Sequence, residues 1–239
     1  MLGILGFVKT DSKIKNCSNF ANITSQSSGY CCGIRGMGEY YRGIGNIDRC
    51  INFGNLIGNR DVYGIGCASK ITNSYNVGKI KSNNSWSACG IGSAGIYNCM
   101  NEGNIISTGE YSIYSTSGGI YGYMSNGLKS LNIINCYNTG ELSTKCYKGS
   151  IIGCVRACTP TTLNCFYLQQ GYSGEYAQTT PYTKEQLKNE SFIEELNNYI
   201  ESNSDGIDTT GWAKWIKGAD GYPTLDFSII WDGSKWVNS

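Results

Sequence analysis

The feature that most constrains this chain is a short unit that recurs through its first two thirds. The unit reads I-x-N-C-x-N-x-G-x-I, and its Cys position recurs six times, with consecutive copies 24 to 37 residues apart. Sequence units that recur at such periods are typical of stacked repeat folds. The Cys position is held by Cys17, Cys50, Ser74, Cys99, Cys136 and Cys165, and the Asn before it is Asn16, Asn73, Asn98, Asn135 and Asn164.

A second unit, a small Gly-Ile-Gly element, lies between these copies. It occurs at Gly33-Ile34-Arg35-Gly36, Gly64-Ile65-Gly66, Gly90-Ile91-Gly92 and Gly119-Ile120-Tyr121-Gly122. Both units alternate apolar residues over short stretches, which predicts short strands that only a neighbouring repeat can bury. We therefore predict an all-β fold over residues 1–175, a β-solenoid (β-helix) of about six irregular coils, in which the Asn before each Cys lies at a corner.

The composition excludes several classes of function, although it says less about the fold. The chain has no His, a formal net charge of +1 and only 15% charged residues. Without imidazole, most hydrolase and metalloenzyme templates are excluded. The near-zero charge favours neither nucleic acid nor an anionic membrane as a partner, and no stretch approaches the roughly 20 apolar residues of a membrane span.

The paired units resemble the GLUG-type repeats of bacterial surface proteins. The resemblance rests on G-G-I-x-G at residues 118–122 and on I-x-N-C-Y-N-x-G at residues 133–140, and it covers roughly residues 1–168. It implies a non-catalytic module of a cell-surface protein that serves in adhesion or as a stalk. The alternatives are a polysaccharide-processing β-helix enzyme and an accessory region of a surface peptidase.

The composition changes near Tyr176, which predicts a small α+β cap over residues 176–227. Thr183 to Gln186 fits a capping box, as does Ser191 to Glu194, and apolar spacing predicts a helix at about 192–202. A β-hairpin is predicted from Gly211–Ile216 and Tyr222–Leu225, with the segment covering the open end of the stack. Residues 228–239 are interpreted as a tail or the start of a further module.

The twelve Cys residues are interpreted mainly as packing groups. Their recurrence at one repeat position predicts an inward ladder of small side chains, although adjacent coils place some pairs within disulfide range. A zinc site could draw on Cys31, Cys32, Cys146, Cys154 or Cys158, but the chain has neither C-x-x-C nor His. No metal or cofactor is therefore predicted.

The acidic residues suggest little chemistry. Glycan hydrolysis on a β-helix needs a convergent pair of carboxylates, and the acids of the repeats do not recur on one face. Asp205 and Asp208 lie in an Asn/Asp/Gly loop that could hold calcium, but this loop fits an EF-hand poorly.

Aromatic residues in or beside the variable loops are the candidate ligand-binding groups, because flat rings beside Asn and Gly suit sugars or protein surfaces. We expect a host or matrix protein, or a glycan, as the partner, with possible end-to-end self-association through the uncapped N-terminal end. The expected location is extracellular or at the cell surface. Because this chain shows no signal peptide, we expect it to be part of a larger protein. The candidates are Tyr40, Tyr41, Trp86, Tyr111, Tyr114, Trp231 and Trp236.

Overall fold

The computed structural model describes residues 2–7, 13–26, 29–37, 45–84, 87–109, 115–124, 130–145, 147–155, 159–170, 178–202 and 205–239. Within these ranges the chain is mostly β, as predicted, with two helices near the C-terminus. The strands are β1 (Leu2–Phe7), β2 (Lys13–Lys15), β3 (Ser18–Asn19), β4 (Ile23–Thr24), β5 (Cys31–Met37), β6 (Asn46–Asp48), β7 (Ile51–Asn52), β8 (Leu56–Gly58), β9 (Val62–Thr72), β10 (Tyr75–Asn76), β11 (Ile80–Ser82), β12 (Ser87–Tyr97), β13 (Met100–Asn101), β14 (Ile105–Ser107), β15 (Thr116–Gly118), β16 (Tyr121–Met124), β17 (Asn132–Asn138), β18 (Leu142–Thr144), β19 (Tyr147–Gly149), β20 (Ile152–Val155), β21 (Thr161–Leu168), β22 (Thr179–Tyr182), β23 (Ala213–Lys217), β24 (Pro223–Trp231) and β25 (Trp236–Asn238), and the helices are α1 (Lys184–Leu187) and α2 (Glu190–Ser202).

The strands up to β21 pair in parallel with the equivalent strand of a neighbouring repeat, and β22 adds a further parallel strand beside β21. Ile47 lies opposite Ile71, and Ile71 lies opposite Ile96. Among the described residues these strands form a large, nearly closed parallel sheet, a second sheet of five strands and a third of two. Equivalent positions of the sequence unit therefore lie beside one another, which explains why the unit recurs. Repeats 1 to 6 are numbered here by their Cys or Ser position, from Cys17 to Cys165.

The interior of the stack consists of columns of like residues. One column is the Ile of the first unit, including Ile47, Ile71 and Ile96, and a second is the Ile of the Gly-Ile-Gly element. Cys50, Cys99, Cys136 and Cys165 face the same core and are all almost completely buried. The inward column of thiols predicted from the sequence is confirmed for these four residues, whereas Cys17 in repeat 1 is partly exposed.

A buried column of asparagines, absent from the sequence-based interpretation, crosses the core. Its members lie two residues after the Cys position, and each Nδ2 donates to the carbonyl two residues ahead. In every member but the last, Nδ2 also donates to the Oδ1 of the next repeat's Asn. The distance from Nδ2 of Asn76 to Oδ1 of Asn101 is 2.7 Å, and the distance to the carbonyl oxygen of Gly78 is 2.8 Å. We call this the inner ladder, and it comprises Asn19, Asn52, Asn76, Asn101 and Asn138.

The first Gly of each Gly-Ile-Gly element packs directly against the inner ladder. A Cβ added at Gly64 would lie 2.3 Å from Oδ1 of Asn76, and one added at Gly90 would lie 2.3 Å from Oδ1 of Asn101. Only Gly leaves room for the amide at this distance. The two sequence units are therefore parts of one structural element, because each Gly admits the Asn of the next repeat.

The C-terminal residues form a separate antiparallel sheet in the order β23-β24-β25. The predicted hairpin is present in β23 and β24, and the turn between them contains Gly221 at φ +89°. The interpretation of residues 228–239 as a tail or new module is wrong, because β24 continues to Trp231 and pairs there with β25.

The helix predictions are correct in kind and partly wrong in their starting points. The capping box at Thr183 is present, with Gln186 at the N3 position. The second predicted capping box is not used, because α2 begins at Glu190 and the side chain of Asn189 accepts the backbone N–H of Ser191 at 3.0 Å. Asn189 thus takes the capping role expected of Ser191.

The inner ladder predicts a large difference between two asparagines of the same repeat. Replacing Asn101 with Ala leaves Nδ2 of Asn76 and the carbonyl of Gly103 without their partner, and each unpaired buried group costs about 1–3 kcal/mol. We expect Asn101→Ala to lower the free energy of unfolding by about 3 kcal/mol or more, as measured by urea denaturation.

The matched control is Asn104→Ala, since Asn104 is exposed and, within the described ranges, its Oδ1 accepts a single hydrogen bond, from the Glu141 backbone N–H at 3.0 Å. We expect a loss of about 1 kcal/mol there. Equal losses for the two variants would contradict a stabilising role of the inner ladder.

Candidate functional site

A second set of asparagines lies on an outer corner of the stack. Asn73, Asn98, Asn135 and Asn164 all have left-handed backbone conformations, with φ between 49° and 54°. Asn tolerates this region better than most residues, which explains why it recurs at this corner. Nδ2 of Asn98 donates to Oδ1 of Asn73 at 2.9 Å, and the same bond continues to Asn135 and Asn164. We call these four residues the outer ladder.

The outer ladder ends on a carboxylate. In repeat 2 the corner residue is Arg49, also at positive φ, and Nδ2 of Asn73 donates instead to Oδ1 of Asp48 at 2.8 Å. Lys15 and Arg49 lie 3.3 and 3.6 Å from the other Asp48 oxygen. Asn16, at the same corner in repeat 1, has positive φ and an exposed side chain.

The C-terminal segment binds the outer ladder through its backbone. The Ala213 N–H donates to Oδ1 of Asn73 at 2.8 Å, and Nδ2 of Asn98 donates to the Ala213 carbonyl at 2.9 Å. The Trp215 indole N–H donates to Oδ1 of Asn98 at 2.6 Å, and Nδ2 of Asn135 donates to the Leu196 carbonyl at 3.3 Å. The prediction that this segment covers the end of the stack is therefore wrong for its main contacts, because the segment lies along the side.

Aromatic rings complete this lateral interface. Tyr97 packs on Trp212 with ring centroids 6.0 Å apart, and Tyr137 packs on Trp215 at 5.5 Å. Closer to the C-terminal end of the stack, Phe166 packs on Phe192 at 5.0 Å. Repeats 3 to 6 thus bury their outward aromatic residues under α2 and the three-stranded sheet.

Repeats 1 and 2 present aromatic residues that this segment leaves exposed. Phe20 is 73% exposed and Phe53 is 38% exposed, and their rings stack with centroids 4.8 Å apart at an interplanar angle of 9°. The edge of Phe53 meets Tyr75 at 6.3 Å, and Tyr75 meets Phe227 of the C-terminal segment at 6.0 Å. We call the pair Phe20 and Phe53 the aromatic edge, which continues the covered interface toward the N-terminal end.

Two exposed asparagines lie close in sequence to the aromatic edge. Oδ1 of Asn22 accepts the backbone N–H of Asn55 at 2.8 Å, and Oδ1 of Asn55 accepts that of Lys79 at 2.9 Å. Flat rings with neighbouring amides are the combination expected for sugar or protein contacts. The sequence signal for this site is a Phe directly after an inner-ladder Asn, which occurs only in repeats 1 and 2.

The aromatic residues proposed from the sequence as ligand-binding groups either lie outside the described residues or pack within the C-terminal fold. Tyr40, Tyr41, Trp86, Tyr111 and Tyr114 lie outside the described residues. Trp231, expected to be exposed, is only 8% exposed because it ends β24 and packs into the interface core. Trp236 is half-buried, lies 5.3 Å from the Trp231 ring and donates its indole N–H to Glu201 at 2.7 Å. This Trp pair is part of the C-terminal fold.

Two carboxyl groups approach each other where the stack meets the C-terminal sheet. Burial, and then the negative charge of Asp220, raise the pKa of Glu102 to about 7. Burial also raises the pKa values of Tyr75, Tyr137 and Tyr222, which lie around the same carboxyl. Lys188 lies 4.4 Å above the Tyr222 ring and donates to the Asp220 backbone carbonyl. A group that carries a proton near neutral pH is thus enclosed in this interface.

The ladder thiols are hydrogen-bonded packing groups. Sγ of Cys99 donates to the Tyr97 carbonyl at 3.1 Å, and Sγ of Cys136 donates to the Ile134 carbonyl at 3.2 Å. Burial raises the pKa of Cys50 and of Cys165 to about 12, so both remain protonated and unreactive at neutral pH. All ten described cysteines are free.

The metal sites considered from the sequence gain no support from the described residues. Cys31, Cys32 and Cys154 are buried free thiols, while Cys146 and Cys158 lie outside the described ranges. The described part of the chain brings together no three His, Cys, Asp or Glu side chains suited to a metal ion. Asp205 and Asp208 are exposed, and Asp208 accepts the Thr210 backbone N–H at 3.0 Å.

No protein-family model, curated protein or solved structure matches this chain. None of the described helices is long and apolar enough to cross a membrane.

The raised pKa of Glu102 predicts how pH affects stability. The folded protein holds this proton more tightly than the unfolded chain, whose pKa is about 4.5, so the stabilising contribution is full below about pH 4.5 and is lost as pH rises to about 7. Glu102→Gln mimics the protonated form at every pH. We expect the free energy of unfolding of this variant to equal that of the parent at pH 4. At pH 8 it should exceed that of the parent by at most about 3 kcal/mol.

The comparison uses urea denaturation at both pH values, with Glu141→Gln as the control because Glu141 is exposed. If the difference in free energy of unfolding between Glu102→Gln and the parent is the same at pH 4 and pH 8, the raised pKa of Glu102 is refuted.

The hydrogen-bonded thiols predict a free-thiol count. Reaction of the unfolded protein with a chromogenic disulfide under non-reducing denaturant should release at least ten equivalents, one for each described free thiol. Fewer than about four would indicate a disulfide framework instead of packed thiols.

Proposed function

We propose that this chain is a β-solenoid of about six coils and that it serves as a non-catalytic binding or spacer module of a bacterial cell-surface protein. The proposal of a solenoid is supported by the parallel, in-register pairing of strands from successive repeats. It is also supported by the order of the large sheet, which runs out through β9, β12 and β17 and returns through β13, β10 and β7.

The observation that carries the functional proposal is the use of the recurring polar groups. Within each ladder the asparagine side chains hydrogen-bond to one another, and the ladder thiols donate to backbone carbonyls. These groups hold the stack together and are not presented to a ligand. Recognition is thereby left to surface residues that interrupt the pattern. Phe20 of the aromatic edge, at 73%, is the most exposed large hydrophobic side chain among the described residues.

We favour a glycan or a matrix protein as the partner of the aromatic edge. The outer face of Phe20 is open for stacking, and the exposed asparagines supply hydrogen-bonding groups. Strands β2, β3 and β4 each have one strand neighbour among the described residues, which is consistent with self-association through the N-terminal end. At the other end of the stack, the Gln170 side chain bonds the Gly140 carbonyl and the Leu142 N–H.

The experiment is a glycan and extracellular-matrix array probed with the purified chain and with Phe20→Ala and Phe53→Ala. A specific signal that both substitutions reduce by tenfold or more, about 1.4 kcal/mol of binding free energy, would support recognition at the aromatic edge. Tyr147→Ala is the matched control, because Tyr147 is 40% exposed on another strand. A signal unaffected by either Phe substitution would refute this site, and a blank array would favour a spacer.

A polysaccharide-processing activity is the second candidate function because of Glu102. Glycoside hydrolysis uses a carboxylic acid with a raised pKa together with a second carboxylate, and the pKa of Glu102 is raised to about 7 by burial and by the charge of Asp220. Release of reducing ends from polysaccharides, abolished in Glu102→Gln and in Asp220→Asn, would favour this alternative over the non-catalytic module.

A further inference from the structure

Cys67 differs from every other described cysteine in its backbone. In the pairing of β9 with β12, Gly66 lies opposite Gly92 and Ala68 lies opposite Ser93, so that Cys67 forms a bulge without a partner in β12. Its φ is +61°. A non-Gly residue other than Asn in this region carries backbone strain, which is retained where the surroundings enforce it. Cys67 is also partly exposed, whereas the ladder thiols of repeats 2, 4, 5 and 6 are buried.

Two side chains of β5 converge on the Cys67 sulfur. Arg35 lies opposite Gly66, the residue before Cys67, in the pairing of β5 with β9. The buried thiol of Cys32 and the guanidinium of Arg35 act on the Cys67 thiol as hydrogen-bonding neighbours. Arg35 is fixed in place by the Tyr30 ring, which lies 4.5 Å from its guanidinium carbon. Nε of Arg35 is buried without a hydrogen-bond acceptor among the described residues, and the positive charge of this guanidinium acts on the Cys67 thiol.

This environment separates the two thiols chemically. The hydrogen bond from Cys32, and then the charge of Arg35, lower the pKa of Cys67, although burial and the carboxylate of Asp61 oppose the effect. Burial and the interaction with Cys67 raise the pKa of Cys32 well above its ordinary value. Of the two thiols, Cys67 therefore loses its proton more readily and Cys32 is the hydrogen-bond donor, an arrangement typical of reactive cysteines.

We propose that Cys67 and Cys32 form a peroxide-reactive dithiol site. The Cys67 thiolate attacks one oxygen of a hydroperoxide; an S–O bond forms, the O–O bond breaks, and the departing oxygen takes up a proton as water or an alcohol. Cys67 is thereby oxidised to a sulfenic acid and the hydroperoxide is reduced. Cys32 then loses its proton and attacks the Cys67 sulfur; the S–S bond forms, the S–O bond breaks, and water leaves with that proton.

The hydrogen-bond contact between the two sulfur groups supports the second step, since it places the resolving thiol next to the oxidised sulfur. None of the ladder thiols can replace Cys67 in the first step. Their S–H groups donate to carbonyl oxygens, which favours the protonated form.

The test exposes the fully reduced, folded chain to stoichiometric hydrogen peroxide and maps the products by peptide mass spectrometry. We expect a Cys32–Cys67 disulfide in the parent chain. In Cys32→Ser, which retains a hydroxyl donor, we expect a sulfenic acid at Cys67 that dimedone traps. Oxidation or alkylation at Cys67 should be at least about tenfold faster than at Cys17, which is also partly exposed but donates to the Lys15 carbonyl at 3.1 Å.

Two controls separate reactivity from folding. Cys67→Asn keeps a residue that tolerates positive φ, as Asn does at the corner positions, so this variant should remain folded by circular dichroism and form no disulfide through Cys32. Arg35→Met should shift the pH profile of Cys67 alkylation upward, while Arg35→Lys should largely preserve it. Cys67 reacting no faster than Cys17, or yielding neither disulfide nor dimedone adduct, would overturn the proposal.

Discussion

The rest of the structure depends on one interaction, the hydrogen bond between asparagine side chains of successive repeats in the core. A buried amide must find partners for two donors and an acceptor, and the inner ladder supplies them only when each Asn lies level with the next. A shift of one residue in any strand pair would leave these amides unpaired and turn the Ile columns away from the core. The inner ladder therefore fixes the register that the variable loops, with spacings from 24 to 37 residues, leave undetermined.

The two ladders run in opposite directions along the stack. In the inner ladder each Nδ2 donates toward the C-terminal end, whereas in the outer ladder each Nδ2 donates toward the N-terminal end. The carbonyl of Gly78 fixes the amide orientation in the inner ladder, and the Ala213 carbonyl does so in the outer one. The C-terminal segment is thus joined to the stack by directional bonds as well as by aromatic packing, and the direction of the outer ladder leads naturally to the Asp48 carboxylate at its end.

Structural features that are local or that recur between repeats could be predicted from the sequence, whereas features that depend on contacts between distant residues could not. The short strands, the inward thiols and the capping box at Thr183 follow from residues that are neighbours in sequence or equivalent between repeats. The lateral position of the C-terminal segment depends on Trp212 and Trp215 meeting Tyr97 and Asn98, and no local pattern encodes that encounter. The burial of Trp231 has the same origin, because the interface that covers it forms only in the folded chain.

The position of Ser74 shows why cysteine has two different roles in this protein. Its Oγ donates to the Thr72 carbonyl and accepts the Cys50 backbone N–H, and the Sγ atoms of Cys99 and Cys136 together make the equivalent bonds between repeats 4 and 5. The ladder therefore requires a small hydrogen-bonding group, and the thiol there contributes volume and polarity but no reactivity. Among the described residues, Cys67 has no such bond to a carbonyl, and Cys32 and Arg35 act on its sulfur as hydrogen-bonding neighbours instead. The direction of the hydrogen bond, set by the fold around each sulfur, decides which cysteines pack and which can react.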